Sequence, residues 1–405
     1  MSDYPPDWDV IELGRVGTWL SGGTPSTSNP AYWEGEIPWI SAASLKSFEI
    51  RESERNVSEL GSRSGTRRVP AGTVIFVVRG MSLKTEFRVG ITSREVTFGQ
   101  DCKAVLSPGG VDARFLAYSL KAKQNEILAM VDEAGHGTGR LPTRQLERLR
   151  VGFPDECEQR RIVDMLNSVD ESIQSIDNLV AKLESSRHGL LDAMFPHSTV
   201  SRGSSSGSFG QYFRADSVCT RITVGVVNSA TGSYVDSGVP FLRSQNVRPN
   251  FIDTSGMLYI SESFNNAQSK SRLQSGDVVV VRTGYPGTAA VVPPELDGAN
   301  CFSLLVATPT PALSPHFLAL YLNSPAGKRA ISNTHFGSAQ HNFNVAEMRN
   351  LKLPVPSLAE QENALDLVSG IDSRIAASRA ELKKMWSIKQ GVVGDLLSGK
   401  RRLLS

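Results

Sequence analysis

The stretch PDECEQRRIVDMLNSVDESI, residues 154–173, returns 202 residues further along the chain as PSLAEQENALDLVSGIDSRI, residues 356–375. Both copies begin with proline, carry a Glu-Gln pair shortly afterwards, and then repeat apolar residues at alternating steps of four and three. That spacing predicts an α-helix with one apolar heptad seam. Because the pattern occurs twice at a fixed offset, the chain is predicted to contain two copies of one unit.

The heptad seam predicts two long helices that pair with each other as a coiled coil. A helix over residues 157–195 would measure roughly 58 Å at ~1.5 Å per residue. An apolar stripe of that length needs a partner, and its own repeat is the obvious one. The alternative is two separate amphipathic helices, each lying on its own core. The predicted seam residues are Ile162, Leu166, Val169, Ile173, Ile176, Val180, Leu183, Leu190, Val368, Ile371, Ile375, Leu382, Met385 and Val392.

A basic residue interrupts the seam at the same point of each copy, Arg187 in the first and Lys389 in the second. Both helices are also predicted to open with a capping box, in which two residues exchange hydrogen bonds between side chain and backbone N–H. The residues of these boxes are Asp155 with Glu158, and Ser357 with Glu360.

Three further pairs of stretches repeat ahead of the helices. IPWISAASL (37–45) resembles VPFLRSQNV (239–247), AGTVIFVVR (71–79) resembles SGDVVVVR (275–282), and GHGTGRL (135–141) resembles GSAQHNF (337–343). β-branched runs at 73–78 and 278–281 predict strands, and residues 115–128 and 315–330 predict helices. The predicted class is therefore α+β, with two similar mixed α/β domains in tandem, each followed by a long helix.

These repeats divide the chain into four segments. The first globular domain is predicted over residues 1–152 and the first helical segment over 153–200. The second globular domain is predicted over 201–352 and the second helical segment over 353–405. The stretch SRGSSSGS at 201–208 has the composition of a flexible linker.

The composition is that of a folded globular protein with more than one core. The chain has 405 residues, of which 40% are hydrophobic and 21% charged. No basic segment followed by an apolar stretch opens the chain, and no run of about 18 apolar residues occurs. We therefore expect a cytoplasmic protein. The net charge of +2 does not itself predict nucleic-acid binding, but it is compatible with DNA reading in which a partner supplies much of the attraction.

The familiar catalytic and metal motifs are absent or out of context. The cysteines Cys102, Cys157, Cys219 and Cys301 form no Cys-x-x-Cys pair, and the six histidines are scattered, so no zinc site or disulfide framework is predicted. The stretch GSSSG at 203–207 fits a nucleophile elbow but lies in the predicted linker, without the strand and helix that the elbow needs. No phosphate-binding loop and no His-Glu-x-x-His motif occurs.

The stretch Asn29-Pro30-Ala31-Tyr32 differs by one residue from the Asn-Pro-Pro-Tyr loop with which adenine methyltransferases hold a flipped base. Such an enzyme also needs a glycine-rich cofactor loop after the first strand of a parallel doubly wound sheet. Neither feature accompanies this stretch. We therefore interpret it as a turn, set by Pro30 and Gly35 and anchored by Trp33.

Taken in order, these features resemble the specificity (S) subunits of Type I restriction–modification enzymes over essentially the whole chain. YPPDW (4–8) followed by LG (13–14) resembles the opening of that family. GTP (23–25), NPAYW (29–33) and IPWIS (37–41) resemble the start of its target recognition domain. PDECEQ (154–159) and PSLAEQ (356–361) resemble the start of its repeated helical regions. The second copy departs from the pattern, since it keeps Gly232 but lacks the Thr-Pro and Tyr-Trp pairs.

The resemblance implies a non-catalytic subunit whose two target recognition domains each read one half of a bipartite sequence in double-stranded DNA. It implies that the helices pack antiparallel, with pseudo-twofold symmetry, as a spacer and as a docking surface for two methyltransferase subunits. Methylation at N6 of adenine, and cleavage by motor–nuclease subunits, would be done by those partners with S-adenosylmethionine, ATP and Mg²⁺. The chain itself is then expected to bind no cofactor or metal.

Polar and basic groups beside the repeated turns are the candidate base contacts, because Arg reads guanine and Asn or Gln reads adenine through paired hydrogen bonds. Arg79 and Arg282 are the leading pair, since both end the same repeated strand and meet a glycine at or near the next position. A structural or solvated role is the alternative for each candidate. The full set is Ser41, Arg79, Lys84, Arg88 and Arg140 in the first copy, and Arg243, Gln245, Asn246, Arg282, Tyr285, His341 and Asn342 in the second.

Other functions remain compatible with the sequence. The chain could serve a related multisubunit system, or a methyltransferase that has no nuclease. It could instead be a coiled-coil adaptor that does not bind DNA. A self-sufficient methyltransferase would bind S-adenosylmethionine by itself, which the missing cofactor loop argues against.

Overall fold

The computed structural model describes residues 4–134, 137–196, 211–228, 230–334 and 342–403. The chain forms two compact units, Met1–Asp177 with Ala380–Ser405, and Asn178–Arg379. The boundaries after residues 177 and 379 fall at the same point of the 202-residue repeat. Each unit therefore combines one globular domain with part of each long helix. The predicted linker at 201–208 and the candidate residue His341 lie outside the described residues.

The first copy of the repeat contains short strands, short helices and one long helix. Its strands are β1 (Asp9–Glu12), β2 (Thr18–Ser21), β3 (Ile37–Ile40), β4 (Glu49–Ile50), β5 (Asn56–Val57), β6 (Arg67–Val69), β7 (Val74–Val77), β8 (Arg79–Gly80), β9 (Val89–Thr92), β10 (Val96–Phe98), β11 (Cys102–Leu106), β12 (Asp132–Ala134), β13 (Thr138–Arg140) and β14 (Arg150–Phe153). Its helices are α1 (Glu59–Ser62), α2 (Ala113–Ala122), α3 (Gln124–Leu128), α4 (Thr143–Glu147) and α5 (Glu156–Met194).

The second copy has the same kinds of element. Its strands are β15 (Tyr212–Arg214), β16 (Cys219–Val224), β17 (Tyr234–Val235), β18 (Val239–Leu242), β19 (Val247–Arg248), β20 (Phe251–Ile252), β21 (Leu258–Ile260), β22 (Val278–Val281), β23 (Ala289–Val291), β24 (Asn300–Cys301), β25 (Leu304–Pro309) and β26 (Lys352–Pro354). Its helices are α6 (Ala215–Val218), α7 (Glu262–Ala267), α8 (Pro315–Asn323), α9 (Pro325–Ser332), α10 (Val345–Asn350) and α11 (Leu358–Leu397).

Each globular domain is built on small mixed sheets, which confirms the predicted α+β class. In the first unit the two larger sheets have the strand orders β2-β11-β7-β9-β4 and β5-β3-β10-β6, and in the second β16-β25-β22-β23 and β17-β21-β18-β24. Most neighbours are antiparallel, but β10 pairs with β3, β4 with β9, and β24 with β18 in parallel. Every residue of the two central strands, β7 and β22, is buried, as expected for continuous apolar runs.

The helices predicted at 115–128 and 315–330 are each divided in two, so the prediction was wrong in their continuity. In the second domain Pro325 explains the division, because proline disfavours helical backbone at the preceding residue. Ser324 is extended accordingly, with φ −70° and ψ 160°. It then caps α9, since its hydroxyl accepts a hydrogen bond from the backbone N–H of Gly327 at 3.1 Å.

The glutamine of each repeated Glu-Gln pair joins the start of a long helix to the globular domain. The side chain of Gln159 accepts a hydrogen bond from the backbone N–H of Asp112 at 2.9 Å and donates to the carbonyl of Gly110. Gln361 makes the matching bonds with the N–H of Ser314 at 2.7 Å and the carbonyl of Ala312. Both glutamines are at most 1% exposed. A buried amide needs hydrogen-bond partners, and in both copies the backbone supplies an N–H and a carbonyl at the same place. This shared geometry explains why glutamine recurs there.

The predicted capping boxes differ between the two helices. In α11 the box is complete, since Ser357 N–H donates to Glu360 at 2.9 Å and Glu360 N–H donates to the Ser357 hydroxyl at 3.4 Å. In α5 the Asp155 carboxylate accepts from Glu158 N–H at 2.9 Å, but the Glu158 side chain binds Arg402 instead. Only one of the two hydrogen bonds of the predicted box at Asp155 therefore forms. The Glu158 carboxylate binds the distant Arg402 and not the backbone N–H of Asp155.

Within each unit the start of one long helix lies antiparallel to the end of the other. In the first unit Ile162 and Leu166 share an apolar cluster with Leu396. In the second unit Val368 shares one with Leu191. Of the predicted seam residues, Ile162, Leu166, Ile173, Val180, Val368 and Ile375 are buried, and Val169, Ile176, Leu183, Leu190, Ile371, Leu382, Met385 and Val392 are half-buried.

The basic residue that interrupts each seam is neutralised by an aspartate from the other helix. In the second unit Arg187 donates to both carboxylate oxygens of Asp372, at 2.5 and 3.1 Å. In the first unit Lys389 forms an ion pair with Asp170. Both members of the first pair are 202 residues from their counterparts in the second. The repeat therefore preserves an interhelical charge pair as well as the apolar seam.

Candidate nucleic-acid interface

A loop follows the central buried strand in each domain, and backbone bonds show which residues correspond. The N–H of Leu141 donates to the carbonyl of Val78 at 2.8 Å, and its repeat counterpart Phe343 donates to the carbonyl of Arg282 at 3.0 Å. Arg282 thus corresponds to Val78, whereas Arg79 lies one residue further along the loop. The prediction that Arg79 and Arg282 occupy equivalent positions is therefore wrong. The first copy has one more residue between the shared glycine (Gly72 or Gly276) and the arginine than the second copy has.

Arg79 and Arg140 form the most suggestive feature of the first domain. They are directly opposite each other in the antiparallel pair β8–β13, and both are exposed. Among the residues that the structure describes, neither guanidinium has a hydrogen-bond or ion-pair partner. Like charges directly opposite on neighbouring strands are destabilising, and a bound anion would remove that repulsion. This pair is therefore well placed for a phosphate or a guanine edge.

The other candidates of the first domain are already engaged within the protein. Lys84 is exposed and lies 3.6 Å from the Glu133 carboxylate. Arg88 is held by Glu86 at 3.2 Å and donates to the carbonyl of Ala42 at 3.3 Å. The Ser41 hydroxyl accepts from the N–H of Ser44 at 3.0 Å. Arg88 and Ser41 thus fix the turn after β3, which favours a structural role for both.

In the second domain the turn after β18 uses two of the candidates internally. Asn246 is 1% exposed, and its amide accepts from Arg243 N–H at 3.0 Å and donates to the carbonyl of Asp253 at 3.0 Å. The Arg243 guanidinium donates to the carbonyl of Gly256 at 3.3 Å. The position of Asn246 favours a structural role over the predicted base contact. Gln245, between them, is exposed.

The candidates in and near the loop after β22 differ in exposure: one side chain bonds within the domain and two are exposed to solvent. The Arg282 guanidinium turns inward and donates to the carbonyl of Phe343 at 3.2 Å, which again favours a structural role. Tyr285 is 83% exposed, and Asn342 is also exposed. Tyr285 and Asn342 are therefore the accessible candidates of this loop region.

The Asn29-Pro30-Ala31-Tyr32 stretch is a turn, as predicted. Residues Pro30–Tyr32 form a 3-10 helix, and the Asn29 side chain accepts from the N–H of Ala31. The indole N–H of Trp33 donates to the carbonyl of Ser26 at 3.1 Å. The asparagine thus has the role of a cap that shapes a turn.

Sequence analysis did not identify Met81, in the loop after β7, or Lys328, on helix α9 beside the loop after β22. Met81 is 63% exposed and follows Gly80 in the first loop, as Tyr285 follows Gly284 in the second. Only the correct one-residue alignment of the loops would have identified it. Lys328 donates to the carbonyl of Pro286 at 3.3 Å and to the hydroxyl of Thr288 at 3.2 Å, a long-range contact without a sequence signal.

The cysteines and other potential ligands form no chemical centre in the part of the chain that the structure describes. No three His, Cys, Asp or Glu side chains among the described residues come together as a metal site would require. Burial raises the pKa of the thiols of Cys102, Cys219 and Cys301 to about 12, so they stay protonated at neutral pH. None of the described helices is long and apolar enough to cross a membrane.

The chain matches the family model of the Type I restriction modification DNA specificity domain twice, over residues 5–185 and 218–385. It is 22% identical to the MjaVIII specificity subunit of Methanocaldococcus jannaschii over 98% of this chain and 94% of that protein. It is 29% identical to the EcoR124I/EcoR124II specificity subunit of Escherichia coli, over 40% of this chain and 41% of that protein. The match thus spans less than half of the E. coli relative.

Solved structures share the fold over nearly the full length. The S subunit of a Type I restriction-modification system from M. genitalium gives a TM-score of 0.56 at 14% identity, covering 98% of this chain and 99% of that one. A chain from a structural study of complex assembly in the Type I R-M system gives a TM-score of 0.64 at 17% identity, covering 98% and 99%. At these identities the likeness shows the fold alone.

Proposed function

Because the chain belongs to the family of Type I restriction modification DNA specificity domains, we propose that each of its globular domains reads one half of a bipartite DNA target. The observation that carries the proposal is the duplication. Two units repeat the same domain, the same glutamine junction and the same interhelical charge pair at one offset. Two similar readers on one scaffold suit two half-sites whose separation the protein sets.

The long helices are then the spacer and the docking surface for partner subunits. We assign two methyltransferase subunits to them, one for each copy of the repeat, with motor–nuclease subunits as further partners. Methylation of adenine and cleavage would be done by those partners, using S-adenosylmethionine, ATP and Mg²⁺. This chain would supply recognition and no catalytic residue.

The decisive experiment is sequencing for methyladenine in DNA from cells that express this chain together with the methyltransferase subunits of its system. We expect a motif of two short blocks with a fixed gap, present only when this chain is expressed. Absence of any motif, although the proteins purify as a complex, would instead support the adaptor without DNA binding. S-adenosylmethionine binding by this chain alone would overturn its non-catalytic assignment.

A second experiment assigns a block to the first domain. Arg79→Ala removes half of the Arg79–Arg140 pair and should relax recognition in one block only, since a lost bidentate contact costs ~1–3 kcal/mol of discrimination. The matched control is Arg63→Ala, an exposed arginine near Glu59, which should leave the motif unchanged. An unchanged motif for Arg79→Ala would exclude this arginine as a reader.

A further inference from the structure

Met81 and Tyr285 occupy the same position in the two domains. The register of backbone bonds aligns Val78 with Arg282, so that three residues later Met81 corresponds to Tyr285. Both side chains point away from their domains, at 63% and 83% exposure. A single exposed apolar residue is ordinary, but two at one repeat position, each beside the loop's glycine, indicate a shared role.

The second loop is held firmly although its tip is exposed. The Lys328 amine donates to the carbonyl of Pro286 and the hydroxyl of Thr288. Gly287, at φ +81°, lies so close to Ile331 that a Cβ there would come within 2.3 Å of its Cδ1. Burial lowers the pKa of Lys328 to about 8. A half-buried amine thus bonds the carbonyl of Pro286, the residue that follows Tyr285.

The first loop is also held in place, but by a 3-10 helix, a core contact and a strand pairing. Residues Met81–Lys84 form a 3-10 helix, and Leu83, two residues after the exposed methionine, is 2% exposed and belongs to the apolar core. The strand β8 before it is paired with β13. Each loop therefore has a fixed base and an apolar tip, which is the arrangement expected of a contact residue that is pre-organised for its ligand.

We propose that Met81 and Tyr285 are matching contact residues, each placing an apolar side chain against the base edges of one DNA half-site. This inference rests on the proposed function. An apolar side chain can contact a thymine methyl group in the major groove or press between two base pairs.

The charges beside Met81, the tip of the first loop, favour DNA over a protein partner. Arg79 lies two residues before Met81, and Arg140 is opposite Arg79 in the strand pair β8–β13. Two exposed cations without a described counter-charge suit a polyanion, whereas the centre of a protein interface is depleted of charge.

The test uses the full chain with its methyltransferase subunits and a DNA duplex carrying the motif found for the unaltered complex. Tyr285→Ala should weaken binding roughly tenfold and relax one block of the methylation motif, and Met81→Ala should do so for the other block. Tyr285→Phe should keep most of the affinity, because it retains the ring and loses only the hydroxyl. The matched controls are Tyr212→Ala and Leu60→Ala, which are exposed apolar residues elsewhere, at 41% and 57%.

The possible outcomes distinguish failure of this inference from failure of the proposed function. A bipartite motif that survives both alanine variants at the original rate would overturn the contact role and leave the proposed function standing. Loss of methyltransferase binding with intact DNA binding would make the tips a protein contact and also overturn it. Absence of any bipartite motif in the unaltered complex would refute the proposed function itself.

Discussion

The two junctions between a long helix and its domain share one scaffold but differ in their outer contacts. In the first unit Asp170 binds Lys389 and also accepts a hydrogen bond from the Tyr118 hydroxyl at 2.8 Å. In the second unit Asp372 binds Arg187, but Leu320 stands where the repeat would place Tyr118. Leucine has no hydrogen-bonding group, so the second charge pair lacks this link to its domain.

The first junction also has a clamp from the end of the chain. Arg402 donates to Glu158 at 2.8 and 2.7 Å and to Asp7 at 3.0 and 2.8 Å. The Glu158 side chain is 0% exposed, whereas its counterpart Glu360 is exposed and bonds its own cap residue Ser357. The comparison teaches that the repeat preserves the interhelical charge pair and the glutamine junction. The additional contacts at Asp170 and Glu158 have no counterpart at Asp372 and Glu360.

Lengthening both helices equally should keep the two junctions and change the distance between half-sites. We would insert four residues after 177 and four after 379, the matching points of the repeat. Four residues add ~6 Å at ~1.5 Å per residue and restore the helix face after about one turn. At ~3.4 Å per base pair the gap in the motif should grow by roughly two base pairs, as measured by methyladenine sequencing.

The matched control inserts four residues in one helix only. That change shifts one seam against the other and breaks the Arg187–Asp372 or Asp170–Lys389 alignment, so methylation should fall sharply. A motif with its original gap after the double insertion would disprove the idea that the helices set the spacing.

Removing the clamp should destabilise the first unit more than the loss of any interhelical charge pair. Arg402→Ala leaves the buried Glu158 carboxylate without its counter-charge, and we expect a loss of roughly 2–3 kcal/mol in the free energy of unfolding. This value is below the ~3–5 kcal/mol expected when a fully buried ion pair loses one partner, because the Arg402 side chain is itself 21% exposed. Urea unfolding would measure the loss.

Two comparisons sharpen the clamp result. Arg401→Ala, at the neighbouring exposed position, should have little effect, and Glu158→Gln should recover part of the stability in the Arg402→Ala background. Hydrogen bonding from Arg402 also lowers the pKa of Asp7 from its usual 3.8. The stabilisation from that pair is therefore present above pH 3.8 and is lost as the pH falls below it. Equal stability of the Arg401 and Arg402 variants would refute the clamp.

The sequence predicted the parts of the molecule that depend on short, repeated spacing. The spacing of apolar residues and the 202-residue offset of the repeat were enough to predict the heptad seam, the central strands, and the interruptions at Arg187 and Lys389. The aspartate partners of those two cations could not, because pairing across helices depends on their relative register. The clamp at Glu158 was missed for the same reason, since its partner is 244 residues away.

The candidate site was less predictable, because a polar side chain in a turn can face inward or outward. Asn246 and Arg282 were candidate readers with a structural role as the alternative, and their hydrogen bonds to the carbonyls of Asp253 and Phe343 favour that structural role. Those partners are brought close only by the tertiary structure. Met81 was missed because matching Arg79 with Arg282 by residue type shifts the two loops by one residue against each other.

Exchanging the charges of the second pair should show whether the ion pairs set the helix register. Asp372→Arg alone places two cations together and should cost roughly 1–2 kcal/mol, and adding Arg187→Asp should restore most of that loss. The same exchange at Asp170 and Lys389 should recover less, because Tyr118 also bonds Asp170. Thermal unfolding of the full chain would measure both series, and equal recovery in the two would remove Tyr118 as the source of the difference.

The smallest expected effect tests that tyrosine directly. Burial raises the pKa of the Tyr118 hydroxyl, so it remains protonated and donates to Asp170. Tyr118→Phe keeps the ring, which stacks on Phe48 at 4.3 Å between centroids, and removes only the hydroxyl. A hydrogen bond to a charged acceptor is worth roughly 1.5 kcal/mol, and partial exposure of Asp170 should reduce the loss to about 1 kcal/mol in urea unfolding.

Tyr321→Phe is the matched control, because among the described residues its hydroxyl donates to the carbonyl of Lys352 alone, at 3.3 Å. It should cost less than Tyr118→Phe, since the acceptor is neutral and the bond is longer. Equal losses would mean that the link between Asp170 and its domain carries no particular stability. The two junctions would then differ in their contacts but not in how firmly each domain holds its helix.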